Sequence, residues 1–331
     1  MLIEPLAPLD VTDADGAAYH RLFADALAAD RPTDPPPDLA EATGRLRVRR
    51  EDQRSLRWVV RDGEAMLGHL VLGLPQLDNL HLAMAHAIVH PAHRRRGIAT
   101  ALLRTALPAA AGRRTLLIEA HDGSAGEAFC RAYGLRPVGS ERLSLLRLAD
   151  VDWADVRAVG AAEHPGYRLE RWAGRCPDEL LDPYAAAKTA MNDAPLDNID
   201  MGGRVYTADV IRHDEAGYRE SKLDQRVVVA VHEATGEVAG LTEVLLASPP
   251  RSFQGDTAVV PAHRGTGLGL WVKADMLCRL RTERPEVTEL LTGNAASNAH
   301  MLRINDRLGY RPYQALTEWQ ADLAALVGRL G

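Results

Sequence analysis

An eleven-residue stretch occurs twice in this chain, and that repeat limits what it can fold into more than any other feature. Val89-His90-Pro91-Ala92-His93-Arg94-Arg95-Arg96-Gly97-Ile98-Ala99 returns as Val259-Val260-Pro261-Ala262-His263-Arg264-Gly265-Thr266-Gly267-Leu268-Gly269, 170 residues later, with six of eleven positions identical and no gap. About forty residues further on, each copy ends alike, at Ala132-Tyr133-Gly134-Leu135-Arg136-Pro137 and at Arg307-Leu308-Gly309-Tyr310-Arg311-Pro312. That second offset is 175, so one copy holds a small insertion. A unit this long is a domain and not a solenoid module. The 331 residues therefore read as a duplication: a first domain at 1–149, a linker at 150–166 and a second domain at 167–331.

Both copies predict one order of elements. In the first, residues 2–6 read as a strand, 13–29 as a helix capped by Thr12 or Asp13, and 31–38, with four prolines, as loop. Residues 55–61 and 66–74 flank the hairpin signal Asp62-Gly63, and 82–89 continues the meander. A helix at 98–107, a strand at 115–120, a helix at 124–133 stopped by Gly134, and two short strands within 137–148 complete the copy. The second copy repeats this with a strand at 167–172, helices at 177–191 and 208–222, and a hairpin of 225–232 with 237–247. Then come a strand at 252–260, a helix at 267–281, a strand at 287–292, and a helix at 298–308 ended by Gly309.

Composition removes several function classes. Hydrophobic residues make up 46% and charged residues 25%, a globular balance. No apolar run approaches the roughly 18 residues of a membrane span, and the N-terminus lacks the basic flank and apolar core of a secretory signal. A cytoplasmic protein is expected. Cys130, Cys176 and Cys278 are odd in number and scattered, which fits neither a disulfide framework nor a paired-cysteine metal site, so no metal is expected. A net charge of -6 argues against nucleic acid as partner. Residues 1–150 hold 19 basic and 19 acidic side chains against 20 and 26 in 151–331, so the second half carries the whole excess.

A strand that runs into Arg-x-x-Gly-x-Gly/Ala and directly into a helix suits an anionic ligand. Glycine lets the backbone come close, and the first helical turn presents unpaired N–H groups at a positive dipole end. Taken alone such a loop is also a tight turn, but here it stands at matching places in both copies. Val259-x-Pro261-x-x-Arg264-x-x-Gly267-x-Gly269 resembles motif A of the GNAT acetyltransferases, and Val89 through Ala99 resembles a second example. Asn298-x-x-Met301 with Leu308-Gly309-Tyr310 resembles their motif B. The likeness spans nearly the whole chain as two domains, similar to tandem members of this family in actinobacteria.

The resemblance implies an α/β fold of mixed sheets, two tandem acyl-CoA N-acyltransferase domains whose central strands splay apart to receive acetyl-CoA. It implies that the backbone of Arg264, Gly265, Thr266, Gly267, Leu268, Gly269 and Leu270 holds the pyrophosphate of acetyl-CoA. Arg94, Arg95, Arg96, Gly97, Ile98, Ala99 and Thr100 would do so in the first domain. Val259 and Val89 would pair with the pantetheine arm or polarise the thioester carbonyl, and Asn298 takes the motif-B asparagine position, where the first copy has Gly123. The dinucleotide-fold alternative fails on spacing, since no acidic residue closes a following strand–helix unit.

Acetyl transfer to an amine needs a proton acceptor for an ammonium of pKa near 10, a donor for the developing oxyanion, and stabilisation of the leaving thiolate. Asp256, five residues before Pro261, stands where many members of the family place an acid; a strand-edge aspartate is the bland alternative. Glu243, in the apolar run 240–246, is the second candidate base, expected to be buried with a raised pKa unless it faces solvent. The first copy has His86 at the Asp256 position, read as a packed strand histidine. The family's motif-B tyrosine, four residues before the glycine, is missing twice: Cys130 and Asn305 stand there. Asn305 is the candidate hydrogen-bond donor to sulfur, Cys130 reads as core, and Tyr133 and Tyr310 as packing residues. His93 and His263 precede the motif arginines as exposed loop residues or phosphate contacts. Asp193, Asp197, Asp200, Asp209, Asp214 and Glu215 suggest an acidic lining for a small cationic amine acceptor. The expectation is an acetyl-CoA-dependent N-acetyltransferase working in its second half, as monomer or homodimer; the alternative is an acyl-CoA-binding scaffold that does no chemistry.

Overall fold

At Asp62-Gly63 the chain reverses as its turn residues dictate, and the same reversal recurs at Ala234-Thr235-Gly236 in the second copy. The structure, a computed structural model, describes residues 2–36, 38–49, 52–247 and 249–330; Pro37 of the proline-rich loop lies outside them. In chain order the first copy gives Ile3–Pro5 (β1), Asp13–Asp30 (α1), Leu39–Arg47 (α2), Gln53–Asp62 (β2), Ala65–Pro75 (β3) and Leu82–Val89 (β4). Ile98–Ala106 (α3), Thr115–His121 (β5), Ala125–Ala132 (α4) and Arg136–Arg147 (β6) follow. The second copy gives Trp153–Gly160 (α5), Tyr167–Ala173 (β7), Asp178–Lys188 (α6), Ala208–Glu220 (α7), Asp224–His232 (β8) and Val238–Leu246 (β9). It ends with Arg251–Val259 (β10), Leu268–Glu283 (α8), Glu289–Ala295 (β11), Ala299–Arg307 (α9), Arg311–Asp322 (β12) and Leu323–Leu330 (α10).

These elements assemble into two compact units. The first holds the chain up to Ser140, with Leu196–Gly202 and everything from Ala315 onward; the second holds Glu141–Pro195 and Gly203–Gln314. The units depart from the sequence boundaries at 149 and 167. In the first, strands run in the order β1-β2-β3-β4-β5-β12, antiparallel except for β4 beside β5. In the second the order is β7-β8-β9-β10-β11-β6, antiparallel except for β10 beside β11. The last strand of the chain thus completes the sheet of the first unit, where Trp319 is 1% exposed.

The segment 150–166 is not a bare linker. Asp152 caps α5, Val156 is buried with the α8 residues, and the Trp271 indole N–H donates to the Gly160 carbonyl at 3.1 Å. The helix α2 lies in a stretch the sequence reading leaves unassigned; Asp38 caps it and Arg45 pairs with Glu41 one turn away.

Helices cover both faces of each sheet. In the first unit Tyr19, Leu22 and Leu46 of α1 and α2 pack on Val59, Met66 and Ile88. Leu102 of α3, Cys130 of α4 and Leu326 of α10 pack with Leu72 and Leu116 on the other face. In the second, Tyr184 and Ile211 of α6 and α7 lie on Val227 and Val229, while Val156 and Leu277 of α5 and α8 lie with Val228 and Leu290.

One core group makes the first unit acid-sensitive. His69 of β3 is 2% exposed, sits edge-on to the Tyr19 ring at 4.8 Å, and neither ring nitrogen has a hydrogen-bond partner among the described residues. Desolvation, helped by nearby His86 and Arg57, lowers its pKa from the ordinary 6.5 to about 3. The unfolded chain then binds a proton that the folded chain refuses. Stability is complete above pH 6.5 and falls as the pH drops towards 3, by roughly 2–3 kcal/mol at pH 4.5. Urea unfolding of His69→Phe at pH 7 and pH 4.5 should show a loss smaller than wild type by that amount. Equal losses would contradict the account.

Candidate active site

In the first unit β4 and β5 pair from Leu82 with Thr115 to Ala85 with Ile118, and there the parallel pairing ends. The next residues on the two strands are His86 and Glu119. Beyond them opens a cleft of about 640 Å³, lined by both, by Val89, by Arg94, Arg95 and Gly97 to Thr100 of the loop, and by Tyr133. Burial of the small Ala83 and Ala85 under α3 turns the alternate residue His86 towards the α1 face. This corrects the expectation of a packed strand histidine: His86 is exposed, but only to the cleft.

The glycine loop is built as its sequence requires. Gly97 has φ +80° and is the N-cap of α3, with no capping side chain; Gly267 has φ +85° and is the equally uncapped N-cap of α8. Thr12, Asp38, Ser124, Asp152, Thr207 and Asn298 cap other helices with side-chain oxygens. The first-turn amides of α3 and α8 are left for another acceptor. A Cβ built on Gly97 would meet nothing within 4 Å, so the space above the loop is open, as close approach of a diphosphate needs. Two residues earlier the backbone is also left-handed, at Gly265 in the second unit and at Arg95 (φ +62°) in the first.

The motif arginines hold the loops in place. Arg94 makes a two-pronged pair with Asp30 at 2.6 and 2.7 Å and donates to the Val89 carbonyl at 3.2 Å. Arg264 repeats this with Asp193 at 2.5 Å and the Val259 carbonyl at 3.1 Å. His263 is buried between the Tyr167 hydroxyl at 2.8 Å and Glu237 at 3.4 Å, whereas His93 lines the cleft.

His86 and Glu119 keep accessible surface facing the cleft, and the protein groups that enclose them set their protonation. Desolvation, with Arg45, Arg31 and His121 opposing a further positive charge, lowers the pKa of His86 to about 4, so its ring is neutral at pH 7. Desolvation raises the Glu119 pKa, and no side chain among the described residues hydrogen-bonds its carboxyl. Glu318 lies directly across from it on β12. The Tyr133 hydroxyl meets the Thr100 hydroxyl at 2.7 Å at the cleft wall. Tyr133 follows the last residue of α4 and packs half-buried against the core with its hydroxyl at the cleft, whereas Cys130 is fully buried with its thiol pushed up to about 12. Tyr310 is fully buried as expected.

The residues singled out in the second unit lie differently. Asp256 and Glu243 come together around Lys188, at 2.7 and 2.5 Å. Glu243 is 2% exposed, takes the Tyr184 hydroxyl at 2.5 Å and the Gln225 amide at 3.2 Å, and desolvation raises its pKa against the pull of Lys188. Neither is a free carboxylate. Asn305 is fully buried, donates to Asn294 at 2.7 Å, and so is committed within the unit, not presented to a sulfur. Asn298 spends its side-chain oxygen on the Met301 N–H at 3.1 Å. Val259 packs against Gly269.

Of the six carboxylates expected to attract a cation, Asp193 pairs with Arg264, Asp214 with Arg204 at 2.9 Å, and Glu215 with Arg212 at 2.8 Å. Asp200 belongs to the first unit, paired with Arg114 at 3.0 Å. Arginine neutralises these four, so they form no open acidic lining.

Known proteins resemble this chain in sequence and in fold. The acetyltransferase (GNAT) family matches residues 18–134, the part of the first unit that holds the cleft. Mycothiol acetyltransferase of Mycolicibacterium smegmatis is 28% identical over 273 residues, 81% of this chain and 85% of that protein. A tandem GNAT protein from the clavulanic acid biosynthesis pathway, solved without AcCoA, is 30% identical with a TM-score of 0.81, covering 97% of this chain and 98% of that one. A GCN5-related N-acetyltransferase from Sphaerobacter thermophilus shares the fold at 17% identity and a TM-score of 0.67, over 97% and 96% of the two chains.

Proposed function

Because this chain belongs to the GNAT acetyltransferase family, we propose that it transfers acetyl from acetyl-CoA to a primary amine of a small metabolite, and does so in the cleft of the first unit. The observation that carries the reading is the opening of that cleft at the end of β4–β5 pairing, flanked by His86 and Glu119 and closed below by the uncapped turn of α3. The residues fit a CoA ester: amides of Arg95 to Thr100 around the diphosphate, and Val89 and Ile118 along the pantetheine. Acetyl-CoA supplies the acetyl group as a thioester.

The chain's own residues do the rest. The amine attacks in its neutral form, and His86, held neutral, takes the proton that the nitrogen sheds once it has bonded to the acetyl carbonyl carbon, where that N–H is far more acidic than a free ammonium. Glu119, with Glu318 across from it, gives a cationic amine a counter-charge on the α1 face. The Tyr133 hydroxyl, 2.7 Å from that of Thr100 in the first turn of α3, offers its proton to the leaving sulfur. This moves the working half from the second unit to the first.

In assays of CoA release with a panel of alkyl amines and diamines, His86→Ala should lower kcat about 100-fold while the Kd for acetyl-CoA stays unchanged. Asp256→Ala should leave kcat within a few-fold of wild type. The reverse pattern would return the chemistry to the second unit. No turnover with any amine would favour the scaffold reading, in which the chain binds acyl-CoA alone.

A further inference from the structure

The acidic pair of the second unit already holds a cation. Lys188, the last residue of α6, is 4% exposed and places its Nζ 2.5 Å from Glu243 Oε1 and 2.7 Å from Asp256 Oδ2. The ammonium also lies 5.8 Å from the centre of the Tyr184 ring and 5.4 Å from that of Tyr206. Two carboxylates and two aromatic rings around one ammonium form a receptor for a primary alkylammonium, in which charge-assisted hydrogen bonds and the ring quadrupoles act together.

Apart from Tyr184, which shares α6 with Lys188, the receptor is assembled from other segments. Glu243 comes from β9 and Asp256 from β10. Gln225 of β8 donates to Glu243 Oε2 at 3.2 Å, and Gln254 of β10 donates to the Glu243 carbonyl at 2.6 Å. The Tyr184 hydroxyl donates to the same Oε1 that takes Lys188. The Glu243 carboxylate is therefore oriented even without the lysine. The Asp256 side chain is 34% exposed, so the subsite reaches solvent at that carboxylate.

We propose that the second unit carries an alkylammonium-binding subsite whose occupant is the chain's own Lys188, so that this half takes no amine from solution while the lysine is in place. The inference is independent of where acetyl transfer occurs in the first unit. It accounts for two carboxylates that look like catalytic bases in the sequence: they are engaged by an internal cation.

The test is to vacate the subsite and refill it. Lys188→Ala in the full chain removes three methylenes and the ammonium, which n-propylammonium replaces. The variant should melt below wild type, and n-propylammonium should raise its Tm with the logarithm of its concentration above Kd, by about 3 to 6 °C at tenfold excess. Neither n-propanol nor the same amine added to wild type should do so. Lys188→Met, which fills the space without charge, should melt low and not respond to the amine. An Lys188→Ala protein unmoved by n-propylammonium overturns the proposal, as does an equal rise in Lys188→Met. If Lys188→Ala folds only in the presence of the amine, the proposal is supported. If it folds in neither condition, it is overturned, because a refilled receptor must restore the fold.

Discussion

Replacing Gly97 by Asp will weaken acetyl-CoA binding to the first unit about 1000-fold, with no loss of fold. The side chain has room, since a Cβ at this position meets nothing within 4 Å. Its cost to the protein is that of a left-handed aspartate at φ +80°, about 1–2 kcal/mol. Its cost to the ligand is larger. The new carboxylate would stand over the amides that begin α3, where a diphosphate must lie. Like charges about 4 Å apart near a protein surface repel by about 4 kcal/mol, which is roughly three powers of ten in affinity. Calorimetric titration of wild type, Gly97→Asp and Gly267→Asp checks this. Gly267→Asp should leave the first site's affinity unchanged. Loss of all binding in Gly267→Asp alone would mean that the second unit is the acyl-CoA site.

The second large effect concerns the end of the chain. A protein truncated after Gln314 loses the part of β12 that pairs with β5, from Leu316 with His121 to Asp322 with Thr115. It also loses Trp319, Leu323, Leu326 and Leu330, all buried in the core that contains α3 and β5. Four large apolar side chains at about 2 kcal/mol each amount to roughly 8 kcal/mol, comparable to the whole stability of a domain, about 5–15 kcal/mol. The first unit should fail to fold although none of its residues before 141 has changed. Hydrogen exchange would show loss of protection in β2 to β5, while β8 to β10 remain protected, and acetyl-CoA binding in the first unit would vanish. Retained protection in β2 to β5 would show that the C-terminal segment is dispensable.

What the sequence makes legible here is local. A glycine that must adopt a positive φ ahead of a helix announces itself, so both loops stand out, and helices bounded by Thr12, Ser124 and Gly134 are readable from their ends. What escapes depends on residues far apart. Nothing near β12 says that it joins β5, nearly 200 residues earlier in the chain, instead of a strand of its own copy. Glu243 reads as a buried carboxylate with a raised pKa, and the burial and the direction agree, but its partner Lys188 lies 55 residues away.

The candidate site divides the same way. Counting back four residues from the motif glycine leads to Cys130, on the buried side of α4, whereas the helix ends at Ala132 and releases Tyr133 into the cleft. His86 could have been found from strand alternation, since Ala83 and Ala85 are the small inward residues just before it and set it on the opposite face. What alternation could not supply is the cleft itself, which exists because β4 and β5 stop pairing at Ala85 and Ile118. In the second unit the corresponding pairing stops at Phe253 with Leu291, and the space beyond it is furnished with an ion cluster.

The measurement that tests the central claim most directly is a crystal structure of the full chain with acetyl-CoA. The account predicts the diphosphate on the amides of Arg95 to Thr100, the pantetheine between β4 and β5, and the thioester carbonyl beside His86 and Glu119. Density for acetyl-CoA only on the Gly265–Gly269 loop, with the first cleft unchanged, would contradict it.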